Sequence, residues 1–65
     1  MKFMDLRLRG TRFEVAETNG RISTYGKGVT CEISDSGVLR ITEAEHVTYL
    51  SPAGWISVFG SPPAA

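Results

Sequence analysis

Apolar and polar residues alternate at period two along most of the chain, in short runs separated by glycine-bearing turns. This pattern predicts strands and leaves no helical period. The first run, Phe3 to Arg9, puts Met4, Leu6 and Leu8 on one face and Asp5, Arg7 and Arg9 on the other. A turn at Gly10-Thr11 leads into Arg12 to Thr18, with Phe13 and Val15 inward. Asn19-Gly20 suits the paired positive φ angles of a two-residue hairpin turn. That turn would oppose Thr18 to Arg21, Val15 to Thr24 and Phe13 to Gly26. Gly26-Lys27-Gly28 reads as a corner between sheets, because a phosphate-cradling loop would need wider glycine spacing and a following helix.

The runs Val29 to Ser34 and Val38 to Glu43 flank Asp35-Ser36-Gly37. A three-residue loop with Gly37 left-handed gives a bulged turn. It opposes Ser34 to Val38, Ile33 to Leu39, Glu32 to Arg40 and Cys31 to Ile41, so apolar residues meet on one face and an ion pair forms on the other. Closing Glu43-Ala44-Glu45-His46 opposes Thr42 to Val47, Ile41 to Thr48, Arg40 to Tyr49 and Leu39 to Leu50. Pro52-Ala53-Gly54 has turn chemistry. A hairpin there would oppose Ser51 to Trp55, Leu50 to Ile56, Tyr49 to Ser57, Thr48 to Val58 and Val47 to Phe59. The expected fold is one all-β domain over residues 1–60, an antiparallel meander of six or seven short strands curled into an open barrel or roll. The hairpin from Arg12 to Gly26 would close it. Residues 61–65 read as a disordered tail, since Pro62 and Pro63 cannot donate to a ladder.

Composition narrows the function classes. The chain has 65 residues, 42% apolar and 22% charged, which is globular. Seven basic groups balance seven acidic ones, so no bulk field draws it to nucleic acid or an anionic membrane. The balance is uneven along the chain: residues 1–28 carry +3 (six basic, three acidic) and residues 29–65 carry −3 (one basic, four acidic). One cysteine excludes an internal disulfide, and no apolar run reaches the length of a signal peptide core or a membrane span. A cytoplasmic protein without membrane contact is the expectation.

Catalysis has little to work with. Cys31 and His46 form the one nucleophile–base pair, but Cys31 falls on an inward strand position beside Ile33 and Ile41. Glu43, Glu45 and His46 share a loop, which is ordinarily a solvated one, and a metal site would need further ligands. A non-enzymatic protein with no metal or cofactor is expected. The final hairpin, in contrast, would be apolar on both faces, with Leu50, Ile56 and Val58 inward and Val47, Tyr49, Trp55 and Phe59 outward. Monomers seldom leave such a patch bare. Those four residues therefore form the expected interaction surface, with Trp55 as anchor, in a homo-oligomer expected to bind and block a partner protein. Two alternatives use other residues: single-stranded nucleic-acid binding through Arg7, Arg9, Arg12 and Tyr25, with Phe13 nearby, or a ligand sponge holding small molecules between subunits.

The segments Ser34 to Ile41 and Tyr49 to Trp55 resemble short β-rich proteins of bacteria and their phages. The resemblance implies a phage or mobile-element accessory protein that binds and blocks a host protein.

Overall fold

Three-residue loops ending in a left-handed glycine build two of the hairpins. The computed structural model describes residues 2–60, so Met1 and the tail at 61–65 lie outside the described residues. Seven strands form in order: β1 (Phe3–Asp5), β2 (Phe13–Glu17), β3 (Ile22–Tyr25), β4 (Thr30–Ser34), β5 (Leu39–Thr42), β6 (Val47–Leu50) and β7 (Trp55–Gly60). They make two antiparallel sheets that do not close into a barrel: a four-stranded sheet β1-β4-β5-β6 and a three-stranded sheet β3-β2-β7.

The β4–β5 hairpin has the anticipated register, with Cys31 opposite Ile41, Glu32 opposite Arg40 and Ile33 opposite Leu39. Gly37 takes φ 88°, its amide donates to the Ser34 carbonyl at 3.0 Å, and the Ser34 amide donates to the Val38 carbonyl at 2.9 Å. The Ser34 hydroxyl accepts from the Val38 amide at 2.9 Å, holding the loop from inside. The β5–β6 register also matches, from Leu39 opposite Leu50 to Thr42 opposite Val47.

The Asn19-Gly20 turn differs from expectation. It is a three-residue loop of the same bulged kind: Glu17 N–H donates to the Arg21 carbonyl at 2.8 Å and Gly20 has φ 87°. The register slips by one, to Phe13 opposite Tyr25 and Val15 opposite Ser23. The slip gives Phe13 a stacked partner, Tyr25, with ring centroids 5.2 Å apart; the two-residue turn would have set it against glycine.

The larger correction concerns β7. It leaves β6 and pairs with β2, so Val58 opposes Val15 and Phe59 opposes Glu14. The turn after β6 closes with Gly54 N–H on the Ser51 carbonyl at 2.8 Å, and the Gly54 carbonyl accepts from Thr18 N–H at 3.2 Å, drawing the chain across to the end of β2. Burial explains the choice. The inner face of β4 and β5 presents Cys31, Leu39 and Ile41, which a two-stranded β2–β3 ribbon would cover poorly; adding β7 widens the lid.

The core is Phe13 and Val15 from one sheet against Cys31, Leu39 and Ile41 from the other. Leu6 and Leu8 pack onto it as anticipated, but Met4 is exposed at the β1 edge. The first strand ends early because Arg7 adopts φ 59°, its amide bonded to Asp5 Oδ1 at 2.7 Å. Gly26-Lys27-Gly28 is the corner between the sheets, with Gly28 N–H donating to the Arg9 carbonyl at 2.7 Å. A core this small supplies only about 3–5 kcal/mol of net stability. Phe13→Ala, which removes about 3–5 kcal/mol, should therefore leave the chain largely unfolded at 25 °C in far-UV circular dichroism and urea titration. A cooperative transition with an unchanged midpoint would contradict this core.

Candidate protein-interaction surface

The outer face of the four-stranded sheet carries an ordered cluster. Strand alternation puts Glu32, Arg40 and Tyr49 in one cross-strand row, with Asp5 at its β1 end. Arg40 Nε and an Nη donate to the two Glu32 carboxylate oxygens at 2.9 and 2.8 Å, a bidentate fork. The guanidinium lies 4.0 Å from the centroid of the Phe3 ring, and Phe3 meets Tyr49 edge-on at 6.4 Å. Glu32 first, and Tyr49 after it, hold Arg40 more firmly protonated than a free arginine. Tyr49 remains 60% exposed, and Val47, two residues along the same face, 45%.

The four residues expected to form one patch are thus divided. Val47 and Tyr49 share the outer face of the four-stranded sheet. Phe59, 54% exposed, lies in the Thr24–Glu14–Phe59 row of the other sheet. Trp55 is no central anchor: it packs partly buried against the core, and its Nε1–H donates to the Gly37 carbonyl at 3.0 Å. A bulge in the β2–β7 ladder follows at Ile56, which is exposed. The patch depended on a β6–β7 hairpin, and that pairing does not form.

The alternative set is dispersed as well. Arg7, Arg9 and Arg12 are exposed around the connection between β1 and β2. Tyr25 turns inward against buried Phe13, and burial, with Glu43 and Glu17 nearby, raises its pKa. Arg12 instead lines a shallow depression of about 570 Å³ with Glu14, Thr24 and Phe59. Arg7, Arg9 and Arg12 thus lie in exposed connecting chain, whereas Tyr25 packs against Phe13.

Cys31 is fully buried, and desolvation, then Asp5 and Glu32, push its thiol from 9.0 up to about 11. His46 is exposed in the β5–β6 loop, its Nε2 2.8 Å from Glu43 Oε1. An open cleft of about 510 Å³ runs between β3 and β6, lined by Glu17, Arg21, Tyr25, Glu43, His46 and Leu50 among others. Among the described residues no group of three or more His, Cys, Asp and Glu could hold a metal, and no helix is long and apolar enough to cross a membrane.

Sequence reasoning had aligned Glu32, Arg40 and Tyr49, yet it passed over Arg40 as a site residue and missed Phe3. The signal for Arg40 was present in the two hairpin registers. Phe3 needed the β1–β4 pairing, which no local turn announces.

Comparison with protein-family models, with curated proteins and with solved structures gives no match.

Two measurements probe this geometry. Trp55→Phe keeps an aromatic side chain but loses the indole donor to Gly37 and some packing, and should cost about 1 kcal/mol or more in urea titration; Trp55→Ser should cost about 3 kcal/mol. Unchanged stability in both would place Trp55 outside the core. For Cys31, burial together with the raised pKa predicts that iodoacetamide at pH 8 labels the folded chain at least about 10-fold more slowly than the urea-unfolded chain. The folded thiol keeps its proton to higher pH than the unfolded one. Its contribution to stability is therefore complete below pH 9 and is lost as pH rises towards 11. Equal labelling rates would contradict the burial.

Proposed function

We propose that this chain is a non-enzymatic protein-interaction module that acts by covering a partner protein's surface with the outer face of its four-stranded sheet. The observation carrying this reading is the Phe3–Arg40–Tyr49 cluster. Tyrosine and arginine are, with tryptophan, the side chains enriched at binding hot spots. Here the arginine is fixed by a bidentate carboxylate and an aromatic ring before any partner arrives. Pre-ordering spares the side-chain entropy that binding otherwise costs. Val47 extends the apolar part of the face.

Charge separates a protein partner from a nucleic acid. Asp5, Glu32 and Arg40 share the cross-strand row, a net −1 on the strip beside the tyrosine. Arg40 is already committed to Glu32, and phosphates would meet two carboxylates. A protein surface with an apolar centre and a basic rim fits this face better. Blocking a host protein, as the phage resemblance implies, is one use of such a module.

A photo-crosslinking phenylalanine analogue in place of Phe3, compared with one in place of Ile22 on the other sheet, tests the proposal in cells. Phe3 should yield adducts with one discrete protein, lost in Arg40→Ala, while Ile22 yields none. Equal labelling from the two positions, or none from Phe3, would overturn it. With the partner in hand, Tyr49→Ala should weaken binding by about 2 kcal/mol or more.

A further inference from the structure

Each sheet leaves two open edges, and they differ in how they are guarded. β1 is three residues long, ends at Asp5 and is followed by left-handed Arg7. β7 is disturbed by the bulge at Ile56. β3 lies between Arg21 and Lys27, and Thr24 on it bonds Glu14 at 3.3 Å. β6 reads Val-Thr-Tyr-Leu, with no charge, proline or bulge within it, and lies between Glu45-His46 and Ser51-Pro52. Edges of that kind are templates for another strand.

The direction of the β6 backbone groups follows from the ladder. Glu43 N–H donates to the His46 carbonyl at 2.9 Å, so Glu43 and His46 are a hydrogen-bonded pair. Bonded and non-bonded pairs alternate in an antiparallel ladder. Thr48 and Leu50 therefore bond to β5, and the N–H and C=O of Val47 and Tyr49 point to the open edge. A two-fold axis through Thr48, perpendicular to the sheet, sets Val47 of one copy opposite Tyr49 of the other, twice, as hydrogen-bonded pairs. It keeps the outer face outer. The side chains that meet are the two exposed apolar residues of the face, an aromatic against a β-branched residue. His46 falls opposite Leu50 and Glu45 opposite Ser51, so no like charges oppose one another. The chain is neutral, so two copies approach without net repulsion.

We propose that the occupant of the β6 edge is a second copy of this chain, joined β6 to β6 in antiparallel register about Thr48 into a continuous eight-stranded sheet. This deepens the reading of the outer face as an interaction surface, since the paired sheet carries two Phe3–Arg40–Tyr49 clusters on one side. A partner with repeated sites would then be held at both. Four backbone hydrogen bonds and two side-chain pairs make a small interface, so the pair should be weak.

Sedimentation equilibrium should show the mass rise from one chain towards two between roughly 10 μM and 1 mM, the range of small interfaces. Val47→Lys, at an exposed position, should keep the circular dichroism spectrum and remain monomeric throughout. In the proposed register Thr48 faces its own symmetry mate as a non-bonded pair, with Cα atoms about 4.5 Å apart, within disulfide range. Thr48→Cys under mild oxidation should form a covalent dimer at least ten times faster than Glu45→Cys, the exposed-loop control. Arg40→Ala combined with Thr48→Cys should cross-link at the same rate, so loss of partner adducts at Phe3 and loss of the pair are read separately. A chain that stays monomeric at 1 mM, or equal cross-linking of Thr48→Cys and Glu45→Cys, would overturn the proposal.

Discussion

The contact of Phe13 and Val15 with Cys31, Leu39 and Ile41 governs the rest of the molecule. Among the described residues five side chains are fully buried, few for a free-standing domain. Every strand must therefore contribute to covering them, and the chain's path follows from that need. β7 crosses to the second sheet because its Val58 extends the row begun by Val15. Trp55 seals one end by reaching the Gly37 carbonyl, and Leu8 lies so close to Gly60 that a Cβ there would stand 2.9 Å from Leu8 Cδ2.

Committing these residues to the interior leaves both outer faces to water. On the three-stranded sheet the exposed apolar groups are Ile22, Ile56 and Phe59, with Glu14 and Thr24 between Ile22 and Phe59. On the four-stranded sheet they are organised around one arginine, whose carboxylate and aromatic neighbours come from three different strands. The four-stranded face thus carries its exposed groups in a pre-ordered arrangement. The same economy leaves β6 without a neighbour on its outer side, because the strand that follows it in sequence was needed elsewhere.

Legibility varied with the range of the interaction. The β4–β5 and β5–β6 registers could be read because a turn of known length joins each pair and only one alignment puts Ile33, Leu39, Ile41 and Leu50 on one face. Asn19-Gly20 signals a tight turn, but the choice between a two- and a three-residue loop rests on whether Phe13 meets Tyr25 or Gly26, a packing matter. The β6–β7 hairpin failed for a different reason. Pro52-Ala53-Gly54 supplies a turn, but a turn specifies a reversal and leaves the layer open. With that hairpin went the patch of Val47, Tyr49, Trp55 and Phe59. The cluster in its place uses Phe3, whose neighbours on β4 lie some thirty residues away in the chain.

By itself, the sequence determined an all-β chain, its turn positions, the inward set Cys31, Leu39 and Ile41, and the pairing of Glu32 with Arg40. These rest on period-two alternation and short loops, which act between residues close in the chain. Tertiary structure alone decided that there are two sheets, that Trp55 serves the core, and that Phe3 joins Arg40 and Tyr49 on the surface. Those outcomes depend on which distant strand covers which apolar face, and that competition is settled by burial across the whole fold.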